Sequence, residues 1–148
     1  MAKEIERKFL VTSDAYRLQA HKVIRIEQGY LNRAPDRTVR VRIADSSAFI
    51  TVKTRTRGCV RDEWEYEIPA DDARRMLEVA CTGVIVKNRY LVRGDDSRVW
   101  EVDEFLHPKV PTIAEVELPT EDARYICPTW VGEDVTGDSR YYNSNLGV

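Results

Sequence analysis

The chain has little of what most metal and nucleophile sites are built from. It contains two histidines, His21 and His107, and three cysteines, Cys59, Cys81 and Cys127, with no Cys-x-x-Cys spacing. That count and spacing argue against a disulfide framework or a zinc ribbon, so a reducing cytosol is the expected compartment. An acid stands at the fourth residue with no apolar h-region around it, and no stretch approaches the ~20 apolar residues of a membrane span. The expectation is a cytoplasmic protein with no membrane partner. Neither sign of charge dominates: 23 basic and 25 acidic side chains leave −2, which recommends no nucleic acid partner. There is no Gly-x-x-x-x-Gly-Lys-Ser/Thr phosphate loop and no Gly-x-Ser-x-Gly elbow. Repeats, linkers and low-complexity tracts are absent, and 148 residues fit one domain spanning 1–148.

What is present is charge at regular intervals. Charged residues make up 32% of the chain beside 43% hydrophobic ones, a globular balance. Apolar and polar residues alternate in eight segments, near 3–11, 23–33, 37–44, 48–56, 61–69, 83–93, 97–106 and 112–119, which predicts strands. Three short helices are expected over 13–20, 71–80 and 121–126, the first capped by Thr12 or Ser13, the second following Pro69 and the third Thr120.

The first strand, Glu4-Ile5-Glu6-Arg7-Lys8-Phe9-Leu10-Val11, shows the pattern. Side chains alternate across a strand, so Glu4, Glu6 and Lys8 share one face while Ile5, Phe9 and Val11 cover the other. Arg40 and Arg42 repeat the alternation, as do Lys53 and Arg55, Glu63 and Glu65, Lys87 and Arg89, Glu101 and Asp103, and Glu115 and Glu117. Only the strand around Ile24 to Tyr30 is ambiguous. Outward-facing charges would make an ordinary solvated surface around a sandwich core. The strands, however, sort by sign, whereas ordinary surfaces mix signs along each strand. The alternative is a mainly β, α+β fold: a closed eight-stranded antiparallel barrel with a charged lumen and short helices packed outside. Trp64, Tyr66, Tyr90 and Trp100 lie on the apolar parity and are expected in the core or beneath helices.

In this order, Glu4-x-Glu6-x-Lys8, Gln28-Gly29-Tyr30-Leu31, Arg40-x-Arg42, Lys53, Arg61-x-Glu63-x-Glu65, Lys87-x-Arg89, Glu101-x-Asp103 and Glu115-x-Glu117 resemble the CYTH superfamily, the triphosphate tunnel metalloenzymes. The tail, Trp130 to Thr136 followed by Arg140-Tyr141-Tyr142-Asn143, is similar to short bacterial members. The resemblance implies an eight-stranded tunnel that binds a linear small-molecule triphosphate and needs a divalent metal, Mg²⁺ or Mn²⁺. It also implies one of several activities: hydrolysis of inorganic tripolyphosphate or thiamine triphosphate, RNA triphosphatase activity, or class IV adenylyl cyclase chemistry.

Under that resemblance Lys8, Arg40, Arg42, Lys53, Arg55, Lys87 and Arg89 are the expected phosphate contacts, because guanidinium forks and ammonium groups suit a dense polyanion. Glu4, Glu6, Glu115 and Glu117 are the expected metal cluster, with Glu63, Glu65 and Asp103 as nearby ligands or their supports. Seven cations face seven acids, so metal must supply the excess positive charge. Glu6 and Lys87 are the catalytic candidates, Lys87 as the group that orients the attacking water. Arg140 and Tyr141 either close one mouth of the tunnel or pack as a tail.

The leading expectation is a metal-dependent triphosphatase releasing orthophosphate, most readily from inorganic tripolyphosphate. The alternatives are a class IV adenylyl cyclase converting ATP to cyclic AMP and pyrophosphate, a noncatalytic triphosphate binder, and a β-sandwich interaction domain with solvated charged faces. A homodimer is left open.

Overall fold

A computed structural model describes residues 3–146. Its strands are β1 (Lys3–Val11), β2 (Lys22–Asn32), β3 (Arg37–Ala44), β4 (Ser47–Thr54), β5 (Val60–Ile68), β6 (Thr82–Arg93), β7 (Val99–His107), β8 (Ile113–Glu117) and β9 (Val131–Asp134). Its helices are α1 (Tyr16–Gln19), α2 (Ala70–Val79) and α3 (Asn143–Leu146). The strands run β5-β4-β3-β2-β6-β7-β8-β1, and β1 closes on β5 through Lys3–Ile5 against Val60–Asp62. The result is a closed eight-stranded antiparallel barrel. The alternating segments at 3–11 through 112–119 are its eight staves. The ninth strand, β9, lies outside the ring on β1.

The apolar parity faces outward and is covered in two places. Across β1, β6, β7 and β8, the side chains of Phe9, Val92, Trp100, Val102, Ala114 and Val116 pack with Tyr16 of α1 and with Leu118 and Trp130 from the segment that follows β8. Six aromatic contacts at 5.5–6.2 Å between ring centres knit this layer, which includes Phe9, Tyr16, Tyr90, Trp100, Tyr125 and Trp130. Across β3 and β4, α2 covers Val41 and Ala48 with Ala73, Met76 and Leu77. The helix and the turn after it lie close to β2 because Gly29 has no side chain; a Cβ there would sit 3.1 Å from Leu77 Cδ2 and 2.8 Å from Cys81 Cβ.

Two expectations for the outer layer are corrected. Residues 121–126 form no helix; they make one turn and then run extended. Thr120 bonds to the Asp122 side chain rather than capping a helix, and the Ile126 N–H is taken by Asp96 at 3.0 Å. The extended path lays Tyr125 against Phe9 and Trp100. On β5, Trp64 and Tyr66 are 41% and 64% exposed, since α2 has only ten residues and its contacts fall on β2, β3 and β4. Trp100 is fully buried and Tyr90 packs against the aromatic layer, as expected.

The inward parity is not charged along its whole length. Ile85, Phe105 and Ile113 share it with Lys87, Asp103 and Glu115, and Tyr141 and Leu146 of the tail pack against them. One end of the lumen is therefore filled by an apolar floor. This resolves the two readings of the tail: Tyr141 closes an end of the tunnel by packing, while Arg140 is exposed and pairs with Asp138. No helix is long and apolar enough to cross a membrane among the described residues, and Cys59, Cys81 and Cys127 are free thiols.

α1 is pinned to the barrel by Glu104, which accepts from Tyr16 Oη at 2.5 Å and from Arg17 Nε at 2.6 Å. Burial alone would raise the carboxyl pKa, but these hydrogen bonds hold it below the usual glutamate value. A depressed folded pKa contributes stability above the unfolded pKa of about 4.3, and that contribution is lost as pH falls through the lower folded value. Glu104→Gln is therefore expected to cost about 1–2 kcal/mol at pH 7, with the difference from the parent shrinking below pH 4 as the carboxylate protonates. Urea titrations at several pH values measure it; a pH-independent difference would refute the assignment.

Candidate active site

The lumen above the apolar floor is a cavity of about 220 Å³. Period-two alternation aims Glu4, Glu6 and Lys8 of β1 into it, with Arg40 and Arg42 of β3, Lys53 of β4, Arg61, Glu63 and Glu65 of β5, Arg89 of β6, Glu101 of β7, and Glu115 and Glu117 of β8. Arg40 and Glu115 are 7% and 6% exposed, so the outward-facing sandwich is excluded.

Of the expected phosphate contacts, Lys8, Arg40, Arg42, Lys53 and Arg89 line this cavity. Arg55 does not. It lies one residue past the end of β4, is exposed, and faces a separate outer depression with Arg57 and Asp62. Alternation stops where the ladder stops, so parity counted past Thr54 carries no information. Lys87 is also absent from the lining. It is fully buried, with Nζ 2.7 Å from Asp103 Oδ2 and 3.2 Å from Asn143 Oδ1, and its ammonium lies over the Phe105 ring. Burial and the neighbouring arginines pull its pKa down to about 7 against the attraction of Asp103. Lys87 thus stands behind the cavity lining, held between Asp103 and the lining residue Asn143.

Of the expected metal ligands, Glu4, Glu6, Glu63, Glu65, Glu115 and Glu117 line the cavity, and Asp103 does not. Both Asp103 oxygens are occupied, Oδ1 by Arg89 Nε at 2.8 Å and Oδ2 by Arg89 Nη2 at 2.9 Å and by Lys87. Burial opposes its charge, yet the two cations hold its pKa far below the ordinary range. Several lining residues were not assigned a role from sequence, among them Arg61, Glu101 and Asn143. Arg61 donates to Glu4 at 2.8 Å, Glu101 accepts from Arg89 at 3.1 Å, and Asn143 arrives from the tail. Arg61 and Glu101 share parity with their neighbours and were legible; Asn143 was not, because nothing local says where a tail folds back.

Most of these charges are paired. Lys53 bridges Glu4 at 2.8 Å and Glu63 at 3.2 Å, Arg40 lies 3.5 Å from Glu65, and Lys8 lies 3.8 Å from Glu115. Burial works against Glu115, but Lys8 and Arg89 draw its pKa to about 2. Three cavity groups have no opposite charge within 4 Å among the described residues: Arg42, Glu6 and Glu117. Arg42 is half-buried and lines the cavity, and burial together with Arg40 and Arg89 pulls its pKa to about 9. Burial and the nearby Glu115 and Glu4 push Glu6 well above the carboxylate range. Burial with Glu4, Glu63 and Glu101 raises Glu117. The cavity therefore holds an uncompensated cation among arginines and uncompensated acids among glutamates.

A lumen of this construction matches a known family: the CYTH domain model fits residues 2–144. The chain belongs to the CYTH family. It is 47% identical over 99% of its length to a protein of Acetivibrio thermocellus named inorganic triphosphatase, 94% of which is covered. A Nitrosomonas europaea protein of the same name is 35% identical, with 98% of this chain and 97% of that one covered. The crystal structure of an inorganic triphosphatase superposes with a TM-score of 0.65 at 34% identity, covering 97% of each chain. A Hippeastrum structure, that of an adenylyl cyclase candidate with triphosphatase activity, shares the fold at 16% identity and a TM-score of 0.60, covering 79% of this chain and 80% of its own.

Within this CYTH domain Asp103 is, among the described residues, the sole carboxylate at hydrogen-bonding distance from Lys87. Asp103→Asn leaves one buried ammonium unpaired and Arg89 with only Glu101, so a loss of about 3–5 kcal/mol of stability is expected. Chemical denaturation measures it, and a loss under about 1 kcal/mol would show that the network is dispensable.

Proposed function

We infer that the protein hydrolyses a linear triphosphate, with inorganic tripolyphosphate as the substrate, giving orthophosphate and pyrophosphate. The observation that carries the reading is the pairing of opposite deficits across one cavity: Arg42 lacks an anion while Glu6 and Glu117 lack a cation. A noncatalytic anion binder has no use for the second deficit. The names of the two relatives point the same way.

Cleavage of a phosphoanhydride depends mainly on position and on neutralising negative charge. Lys8, Arg40, Arg42 and Arg89 supply donors to the phosphate oxygens, and Lys53 adds a point charge beside the acids. Six cations line the cavity, Lys8, Arg40, Arg42, Lys53, Arg61 and Arg89, against seven glutamates, Glu4, Glu6, Glu63, Glu65, Glu101, Glu115 and Glu117. A bare polyanion entering that lumen meets no positive excess. The residues fit a divalent cation: hard carboxylate oxygens cluster at mutually repelling distance, although no three are already converged on a point among the described residues. Glu4, Glu6, Glu115 and Glu117 would hold it, with Glu63 beside them, and Mg²⁺ or Mn²⁺ suits such oxygens. Bound there, the ion supplies neutralisation of phosphate charge and acidification of water. The chain's own acids bind and orient; the apolar floor limits how deep a phosphate chain can enter.

Purified protein with Mg²⁺ and tripolyphosphate should release orthophosphate, lose the activity to a chelator and regain it with Mg²⁺ or Mn²⁺. Glu6→Gln should lower turnover about 10- to 100-fold. Formation of cyclic AMP from ATP without orthophosphate release would replace this reading with a cyclase, and binding without turnover would reduce it to a carrier.

A further inference from the structure

Four arginines line the cavity, and among the described residues three of them are oriented by carboxylates: Arg40 by Glu65, Arg61 by Glu4, and Arg89 by Asp103 and Glu101. Arg42 is oriented by an amide. Gln28 stands directly opposite it across the β2–β3 ladder, and Gln28 Oε1 accepts from Arg42 Nε at 2.9 Å. Gln28 is fully buried, and its other ladder neighbour is Ile85 of the apolar floor. Its Nε2 consequently has no hydrogen-bond partner among the described residues.

For stability alone this is a poor choice of residue. A buried donor left unpaired costs about 1–3 kcal/mol, and a carboxylate of the same shape would remove the donor and pair with the guanidinium. An amide does one thing a carboxylate does not: it fixes the guanidinium plane through Nε and leaves the positive charge intact. Neither Nη of Arg42 makes a hydrogen bond to the protein among the described residues, so both remain for a ligand in the cavity.

We propose that Gln28 is a positioning residue for the triphosphate, aiming the Arg42 guanidinium into the cavity while withholding the negative charge that would neutralise it. The proposal rests on the triphosphatase reading above. It explains why a fully buried polar side chain interrupts the inward face of β2, which is otherwise built from Ile24, Ile26 and Tyr30.

The test is a double-mutant cycle read by kinetics with tripolyphosphate and Mg²⁺, and by thermal melts. Gln28→Met, similar in shape but with no acceptor, should raise KM about tenfold, the worth of one charged hydrogen bond, while kcat changes by less than about threefold. Gln28→Glu should raise KM at least as much although its Tm does not fall. In an Arg42→Ala background, Gln28→Met should change KM by less than about twofold. A full tenfold effect that persists without Arg42 would overturn the proposal, as would a parent-like KM in Gln28→Glu. Should Gln28→Met fail to fold, Gln28→Glu alone decides: a raised KM supports the proposal and an unchanged one defeats it. The two readings fail differently. Parent protein that neither binds nor hydrolyses tripolyphosphate removes the triphosphatase and the positioning role together, whereas an active parent with an additive cycle removes the positioning role alone.

Discussion

A charge inside a closed barrel must meet an opposite charge, a hydrogen-bonding group or a ligand, because the walls shield it from bulk water. The rest of this structure follows from that requirement. Thirteen charged side chains, six cations and seven glutamates, point into one small space, and the strands are ordered so that nearly all find a partner. Lys53 reaches Glu4 and Glu63, Arg89 reaches Asp103 and Glu101, and Arg40 reaches Glu65. What remains unpaired is instructive because pairing is so thorough. The deficit of anion lies at Arg42 and the deficit of cation at Glu6 and Glu117, which is the arrangement a phosphate chain with its counter-ion would complete.

The same requirement accounts for the inverted layout of the core. With the interior given to charge, apolar residues must pack on the outside, and the barrel needs covers. The ten residues of α2 serve β3 and β4, and α1 with the segment after β8 serves the aromatic layer. Covers this short leave gaps, of which Trp64 and Tyr66 are the visible result. Inside, the apolar floor of Ile85, Phe105 and Ile113 with Tyr141 separates the charged cavity from the far end of the barrel. Lys87 and Asp103 stand just behind the cavity wall, where each is buried because the other is present.

Much of this could be read from the order of residues. Alternation is a local property, so it revealed eight staves and the parity of Glu4, Arg40, Lys53, Glu63, Arg89 and Glu115 without knowledge of any partner. It misled where a strand ended sooner than its pattern: Arg55 keeps the parity of Lys53 but lies beyond the last ladder pair. It showed the parity of Arg61 and Glu101 but gave neither a role, because their partners lie on other strands. The 121–126 segment shows another limit. A capping residue and acidic first turn favour a helix locally, but burying Tyr125 against Phe9 and Trp100 outweighs that preference and needs an extended path.

The sequence by itself determined which side chains share a face, the eight staves of the barrel, and that the charged face carries both signs, since all three depend only on period-two geometry. Tertiary structure alone decided which charges cancel. Lys53 and Glu4 are 49 residues apart, and Arg61 and Glu4 are 57 apart, so their pairing depends on how the barrel closes. Closure also buried Lys87 and Asp103 behind the cavity lining, brought Asn143 to the cavity, and left Arg42 with an amide where its neighbours have acids. The charges are local facts; their sum at any point in the lumen is a property of the fold.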